Sequence, residues 1–176
     1  FQWRWWCKWR LVNLYVSKFV HMSILVIGGA GYIGSHMVLR LIEEGHHPII
    51  LDNLSEGHRD AILGGTFIKG DIGDRALLLS IFREHQIDVV MHFAAYCYVG
   101  ESVTDPSKYY LNNVVKTHTL LDAMRECRIR NFIFSSTCAT YGVPITLPFK
   151  ENHPQNPINP YGKTKLMVEQ MVADFE

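Results

Sequence analysis

Short aliphatic runs with no polar face alternate, from Ser23 to Thr137, with stretches of helical periodicity. A strand with one wet face alternates apolar and polar side chains, whereas a run that is apolar on both sides has to be covered on both sides. The chain is therefore committed to a parallel sheet between layers of helix. Strands are predicted at 23–29 (SILVIGG), 47–52 (HPIILD), 66–70 (TFIKG), 87–95 (IDVVMHFAA) and 131–137 (NFIFSST). Helices are predicted over 32–44, with Ile33, Met37, Val38, Leu41 and Ile42 inward, and over 74–85, with Leu77, Leu78, Ile81 and Phe82 inward. A long helix over 106–128 carries Tyr110, Val114, Thr117, Leu121 and Met124 on one face. Five of the seven prolines lie between 144 and 160, which predicts a rigid surface loop before a last helix starting near Tyr161. Right-handed crossovers wind such a pattern into a doubly wound sheet, with a ligand crevice at the carboxyl ends of the strands where the winding reverses.

Composition narrows the class. A chain of 176 residues, 48% hydrophobic, suffices for one domain core without disulfide or metal staples. Its 17 basic and 17 acidic side chains are unevenly placed: residues 1–22 hold Arg4, Lys8, Arg10 and Lys18 and no acid, leaving 13 basic against 17 acidic in the body. A body of that sign is not expected to bind nucleic acid. Cys7, Cys97, Cys127 and Cys138 have no metal-ligand spacing, so no metal site is expected, and free cysteines fit a reducing, cytoplasmic setting. All four tryptophans fall in the first nine residues. The apolar part of this leader is interrupted by Asn13 and Lys18, so it fits neither a signal peptide nor a membrane span. Residues 1–22 are read as an unstructured or spurious leader, because Met22 stands just ahead of the first strand, with a membrane-surface segment as the other reading. Residues 23–176 form the domain, expected to be incomplete at its C-terminal end because Glu176 falls inside a helical pattern without a stop signal.

The turn after the first strand reads Gly28-Gly29-Ala30-Gly31-Tyr32-Ile33-Gly34. Glycines at these spacings let a backbone approach a pyrophosphate at the positive end of the following helix, although an ordinary strand-to-helix turn also uses glycine. Asp52 ends the second strand, 21 residues after Gly31, where a carboxylate would accept from an adenosine ribose and repel a 2′-phosphate. Asp52-Asn53 is also ordinary turn chemistry. Together these features predict a dinucleotide site that prefers NAD to NADP. Asp71-Ile72 and Phe93-Ala94-Ala95 fall at the same sheet edge, either against the cofactor or as strand-end packing. Tyr161 and Lys165 are four apart at a helix start and share a face. Unaided, they read as a surface phenol and a solvated lysine. With Thr137 at the end of the fifth strand and a nicotinamide site, they form an acid-base set for hydride chemistry at a carbinol carbon, Tyr161 being acidified by Lys165 and by the positive nicotinamide ring when NAD is bound.

The segments GGAGYIGSH (28–36), LDNLSEGHRD (51–60), GDI (70–72), HFAAYCYVGESV (92–103), YYLNNV (109–114), FSSTCATYG (134–142) and NPYGKTKLMVEQ (159–170), in that order, resemble the NAD-binding half of the UDP-glucose 4-epimerases in the extended short-chain dehydrogenase/reductase family. The resemblance implies a Rossmann-type fold lacking the C-terminal substrate domain. It places Gly28, Gly31, Tyr32, Ile33 and Gly34 at the pyrophosphate, Asp52 and Asn53 at the ribose, Asp71 and Ile72 at adenine, and Phe93, Ala94, Ala95, Asn112 and Lys165 along the cofactor. Thr137, Tyr161 and Lys165 become the catalytic set, with Thr137 and Tyr161 against the substrate. The implied reaction interconverts UDP-glucose and UDP-galactose at C4 through a 4-keto sugar, by a homodimer when the protein is full length; the fragment alone is expected to be inactive. The alternatives are a related nucleotide-sugar epimerase or dehydratase and a non-catalytic NAD-binding module. Cys138 and Ala139 stand after Thr137 where dehydratases carry an acid, which favours epimerisation.

Overall fold

The computed structural model of the protein describes residues 22–175, so the reading of the leader falls, but for Met22, outside the described residues. Five strands, β1 (Ile24–Ile27), β2 (Ile49–Asp52), β3 (Thr66–Lys69), β4 (Val89–His92) and β5 (Asn131–Phe134), form one sheet in the order β3-β2-β1-β4-β5. Every pairing is parallel, with Val26 between Ile50 and Met91. The chain winds outward from β1 to β3 and then returns to place β4 on the other side of β1. The reversal therefore lies between β1 and β4, and the fold is a Rossmann-type doubly wound sheet.

Successive residues of β1 feed opposite faces, as strand geometry requires. Leu25 and Ile27 join Leu78, Ile81 and Phe82 of α2 (Arg75–His85) and Leu120, Leu121 and Met124 of α5 (Lys116–Glu126). Ile24 and Val26 join Val38 and Leu41 of α1 (Tyr32–Glu43) on the other face. Truncating any of the fully buried members, such as Leu78, costs about 2–5 kcal/mol through lost burial and the cavity left behind.

Three expectations are corrected. Ile33 was placed inward, but it is 57% exposed on the first turn of α1; the chain needs Gly34 at the inner position because β1's turn lies directly beneath it. Residues 93–95, predicted as the end of a strand, are irregular, as are 96–98 after them, and the chain leads into a short helix, α3 (Val99–Thr104), which was not foreseen. The predicted long helix is three pieces: α4 (Pro106–Tyr109), a π-helical segment (Tyr110–Val115) and α5. The wider π turn takes up an extra residue. Thr117, Leu121 and Met124 are buried as expected, but upstream the buried positions are Tyr109 and Asn113 rather than Tyr110 and Val114. The proline-rich loop carries no regular helix or strand, and α6 (Pro160–Asp174) begins one residue before Tyr161.

Candidate active site

The glycines of the β1–α1 turn are glycine for different reasons. Gly28 has a φ of +77°, and a Cβ there would lie 2.5 Å from the Ala94 nitrogen, so β1 and β4 close on each other only without it. At Gly34 a Cβ would lie 2.1 Å from the Gly28 oxygen. Gly31 has an ordinary φ of −79° and would meet nothing closer than 3.4 Å, so neither backbone nor packing demands glycine. It is the N-cap of α1 and offers no side chain to the helix. The positive end of a 12-residue helix is thus left bare beside Gly31, flanked by the exposed side chains of Tyr32 and Ile33.

Gly28, Gly31, Asp52, Asn53, Asp71, Ile72, Phe93, Ala94, Ala95 and Asn112 line one cleft at the carboxyl edge of the sheet. Tyr32, Ile33 and Gly34 are not among its lining residues; nor are Thr137, Tyr161 and Lys165. Asp52, buried, accepts from the Ala30 N–H (2.9 Å) and the Leu54 N–H (2.8 Å). It therefore ties the glycine turn to the β2 loop and holds Leu54 at its positive φ of 61°. Each carboxylate oxygen keeps a further lone pair.

Lys116 was missed in the sequence. Its ammonium meets Asp71 at 2.7 Å, while Asp71 also accepts from the Asn53 amide (2.9 Å) and the Gly73 N–H (2.8 Å). Burial raises the Asp71 pKa, but the Lys116, Gly73 and Asn53 bonds together hold it below the ordinary carboxylate range. Ser55, Glu56, Gly57 and Tyr96 also line the cleft and were not singled out as site residues, although the first three lie in the matched segment 51–60. Lys116 gave no local signal, since its partner is 45 residues away.

The buried Asn113 amide accepts from the Tyr96 N–H (3.0 Å) and donates to the Tyr96 carbonyl (3.0 Å) and the Thr164 hydroxyl (3.2 Å). The Thr164 hydroxyl donates in turn to the Tyr161 carbonyl at 2.7 Å. This chain of bonds fixes the cleft wall relative to α6. The start of α6 is capped by Asn159, whose side chain accepts from the Gly162 N–H at 2.8 Å. A Cβ at Gly162 would lie 2.5 Å from the Ala139 oxygen, so glycine allows the helix start to lie against the turn that follows Thr137. The Thr137 hydroxyl accepts from the Ala139 N–H at 3.2 Å, closing the one-turn helix Cys138–Thr140.

Lys165 is only 3% exposed. Its ammonium donates to the Ser135 carbonyl at 2.7 Å and lies 4.6 Å from the Phe134 ring centre. Burial pulls its pKa down to about 8, opposed by the nearby Cys97 and Glu169. Burial raises the Tyr161 pKa, the Thr137 hydroxyl is the neighbour that lowers it, and Cys97 and Cys138 add to the rise. Lys165 is not among the groups that shift the phenol: its ammonium engages the Ser135 carbonyl just after β5, and the downward pull on Tyr161 comes from Thr137. Behind Lys165, His92 is fully buried, with its Nε2 at 3.1 Å from the Thr117 hydroxyl and its Nδ1 without a partner among the described residues. Burial, assisted by the Lys165 charge, brings the His92 pKa down to about 3 and keeps the imidazole neutral.

A parallel sheet whose winding reverses at a glycine turn, with a carboxylate at the end of the neighbouring strand, defines an α/β protein of the dinucleotide-fold class. The profile of the NAD dependent epimerase/dehydratase family matches residues 24–176, and the chain belongs to that family. Over 150 residues it is 56% identical to the UDP-glucose 4-epimerase of Halalkalibacterium halodurans, matching 85% of this chain and 45% of that protein. It is 49% identical to the probable UDP-arabinose 4-epimerase 3 of Arabidopsis thaliana, over 86% of this chain and 39% of the relative. The crystal structure of the Brucella ovis UDP-glucose 4-epimerase in complex with NAD superposes with a TM-score of 0.86 at 55% identity, covering 88% of this chain and 47% of that one. The chain thus spans about half the length of the curated relatives it matches. Among the described residues no helix is long and apolar enough to cross a membrane.

Proposed function

We propose that the protein carrying this chain binds NAD in the β1–β4 cleft and epimerises a UDP-sugar at C4, with UDP-glucose and UDP-galactose as the favoured pair. The observation that carries the cofactor reading is Gly31. It is a glycine with no internal reason to be one, at the bare positive end of α1, which fits the close approach of a pyrophosphate. Asp52 and Asn53 would hold the adenosine ribose and Asp71 and Ile72 would flank adenine. Phe93, Ala94, Ala95, Asn112 and Lys165 would line the rest of its path. When bound, NAD supplies a reversible hydride acceptor for the sugar carbon.

Tyr161 takes the proton from the C4 hydroxyl and later returns it, and the Thr137 hydroxyl orients both oxygens. Lys165 provides a buried positive charge behind them. Burial alone leaves the phenol too weak an acid, so the reading requires further positive charge at the bound site to lower it. Cys138 and Ala139 after Thr137 favour epimerisation over dehydration. The two relatives, a UDP-glucose 4-epimerase and a probable UDP-arabinose 4-epimerase, agree in the C4 chemistry and differ in the sugar.

We further propose a homodimer for the intact protein. Leu111 and Val115 are more than half exposed one turn apart. His118 on the next turn meets Phe175, the residue that caps α6, edge-on, so the exposed side of α5 continues to the end of α6. Free thiols at Cys97, Cys127 and Cys138 fit the cytoplasm.

The reading is tested on the purified intact protein by releasing its bound nucleotide and by following UDP-galactose with NMR. Stoichiometric NAD and formation of UDP-glucose, with no unsaturated or deoxy sugar, are expected. Absence of NAD, or a dehydrated product, contradicts it.

A further inference from the structure

We infer that Glu169 is a positioning residue of this site, fastening the end of β5 to α6 and countering the buried charge of Lys165. The inference rests on the reading of Lys165 as the cation behind Tyr161. The Glu169 carboxylate accepts from the Ser136 hydroxyl and, at 2.7 Å, from the Gln155 amide. Ser136 lies between Ser135, whose carbonyl receives the Lys165 ammonium, and Thr137, whose hydroxyl influences Tyr161. One carboxylate thus grips the residue joining those two contacts and ties the proline-rich loop to the same point through Gln155.

The charge argument uses the same geometry. An ammonium has three N–H donors, and Lys165 has one of them in a protein hydrogen bond, to a neutral carbonyl. Among the described residues no carboxylate lies within ion-pair distance of it. From β4 it faces His92, which is neutral; from the β4–α3 loop it faces Cys97; from β5 it meets the Phe134 ring and from the residue after it the Ser135 carbonyl; and one turn along its own helix lies Glu169. Of these groups only Glu169 is a carboxylate, and the i,i+4 spacing puts it on the same helical face as Lys165. Its two hydrogen bonds keep that charge in place.

The test is Glu169→Gln in the intact, NAD-loaded protein, because the amide keeps the size of the side chain and an acceptor for Ser136 while removing the charge. Two readouts are taken: the Lys165 titration, by NMR of lysine labelled at the ε-carbon, and the alkaline limb of the kcat profile. The midpoint is expected to fall by about half a pH unit or more, a threefold or greater rise in acidity, and the limb to move with it. KM for UDP-galactose is expected to change by less than about twofold. Should the variant fold poorly, Ser136→Ala gives a second reading: the carboxylate, held by Gln155 alone, gains freedom toward solvent, and the midpoint falls in the same direction by less. Midpoints equal to wild type in every variant that folds overturn the inference. A shifted midpoint in a protein that does not epimerise UDP-galactose overturns the proposed function but leaves the Glu169 inference standing.

Discussion

A methyl group at position 34 would sit 2.1 Å from a backbone oxygen that has nowhere to go, whereas at position 31 it would make an ordinary contact. Gly34→Ala is therefore expected to destabilise the fold by about 2–4 kcal/mol in urea denaturation. Gly31→Ala is expected to melt close to wild type while its NAD affinity falls about tenfold or more, read by cofactor titration. The spacing of these glycines is plain in the sequence, but their separate duties are not, because what crowds each one comes from the folded turn. His92 is a second case. Its folded pKa of about 3 lies below its ordinary value of 6.5, so the unfolded chain binds more protons between those limits and stability falls as pH falls through them. The predicted loss is about 5 kcal/mol over that window, and His92→Asn should flatten it in unfolding curves between pH 7 and 4. Nothing local marks that histidine as buried and neutral, since HFAA reads equally well as a strand end.

Among the elements, the π-helical segment does most to set the site. By widening one turn it brings Asn113 inward, where the amide satisfies both backbone groups of Tyr96 and reaches Thr164 on α6. Asn113→Leu leaves those part-buried groups unpaired, and a loss of about 2–4 kcal/mol is expected, with hydrogen-exchange protection lost first at the Tyr96 N–H. The heptad-like stripe was legible where the helix is regular, at Thr117, Leu121 and Met124. It slipped by one residue upstream because periodicity assumes 3.6 residues per turn, and a π turn breaks that assumption. Helix α3 was illegible for a related reason. VGESVT is too short to show a period, and the segment is held by side chains, with the Tyr109 hydroxyl on Glu101 at 2.7 Å and Lys108 on the same carboxylate at 2.6 Å.

For the molecule as a whole, the parallel order and the place of the winding reversal followed from runs that are apolar on both faces, which leave the chain few other ways to bury them. The cleft at the sheet's carboxyl edge was equally legible, because the carboxyl ends of parallel strands all open on one edge. What escaped was the polar wiring between distant segments: Lys116 with Asp71, and Lys165 with the Ser135 carbonyl. Burying Lys165 has a global consequence. Its folded pKa of about 8 lies below the ordinary 10.5, so the unfolded chain holds the extra proton and stability rises with pH between the two. Wild type should gain on Lys165→Met by up to about 1.4 kcal/mol per pH unit between pH 8 and 10, measured by urea unfolding at each pH. The chemistry itself is tested most directly by Tyr161→Phe in the intact protein with its NAD content verified. Conversion of UDP-galactose to UDP-glucose should fall at least about a hundredfold while the bound NAD is unchanged. A variant that keeps the wild-type rate without the phenolic oxygen would contradict the account.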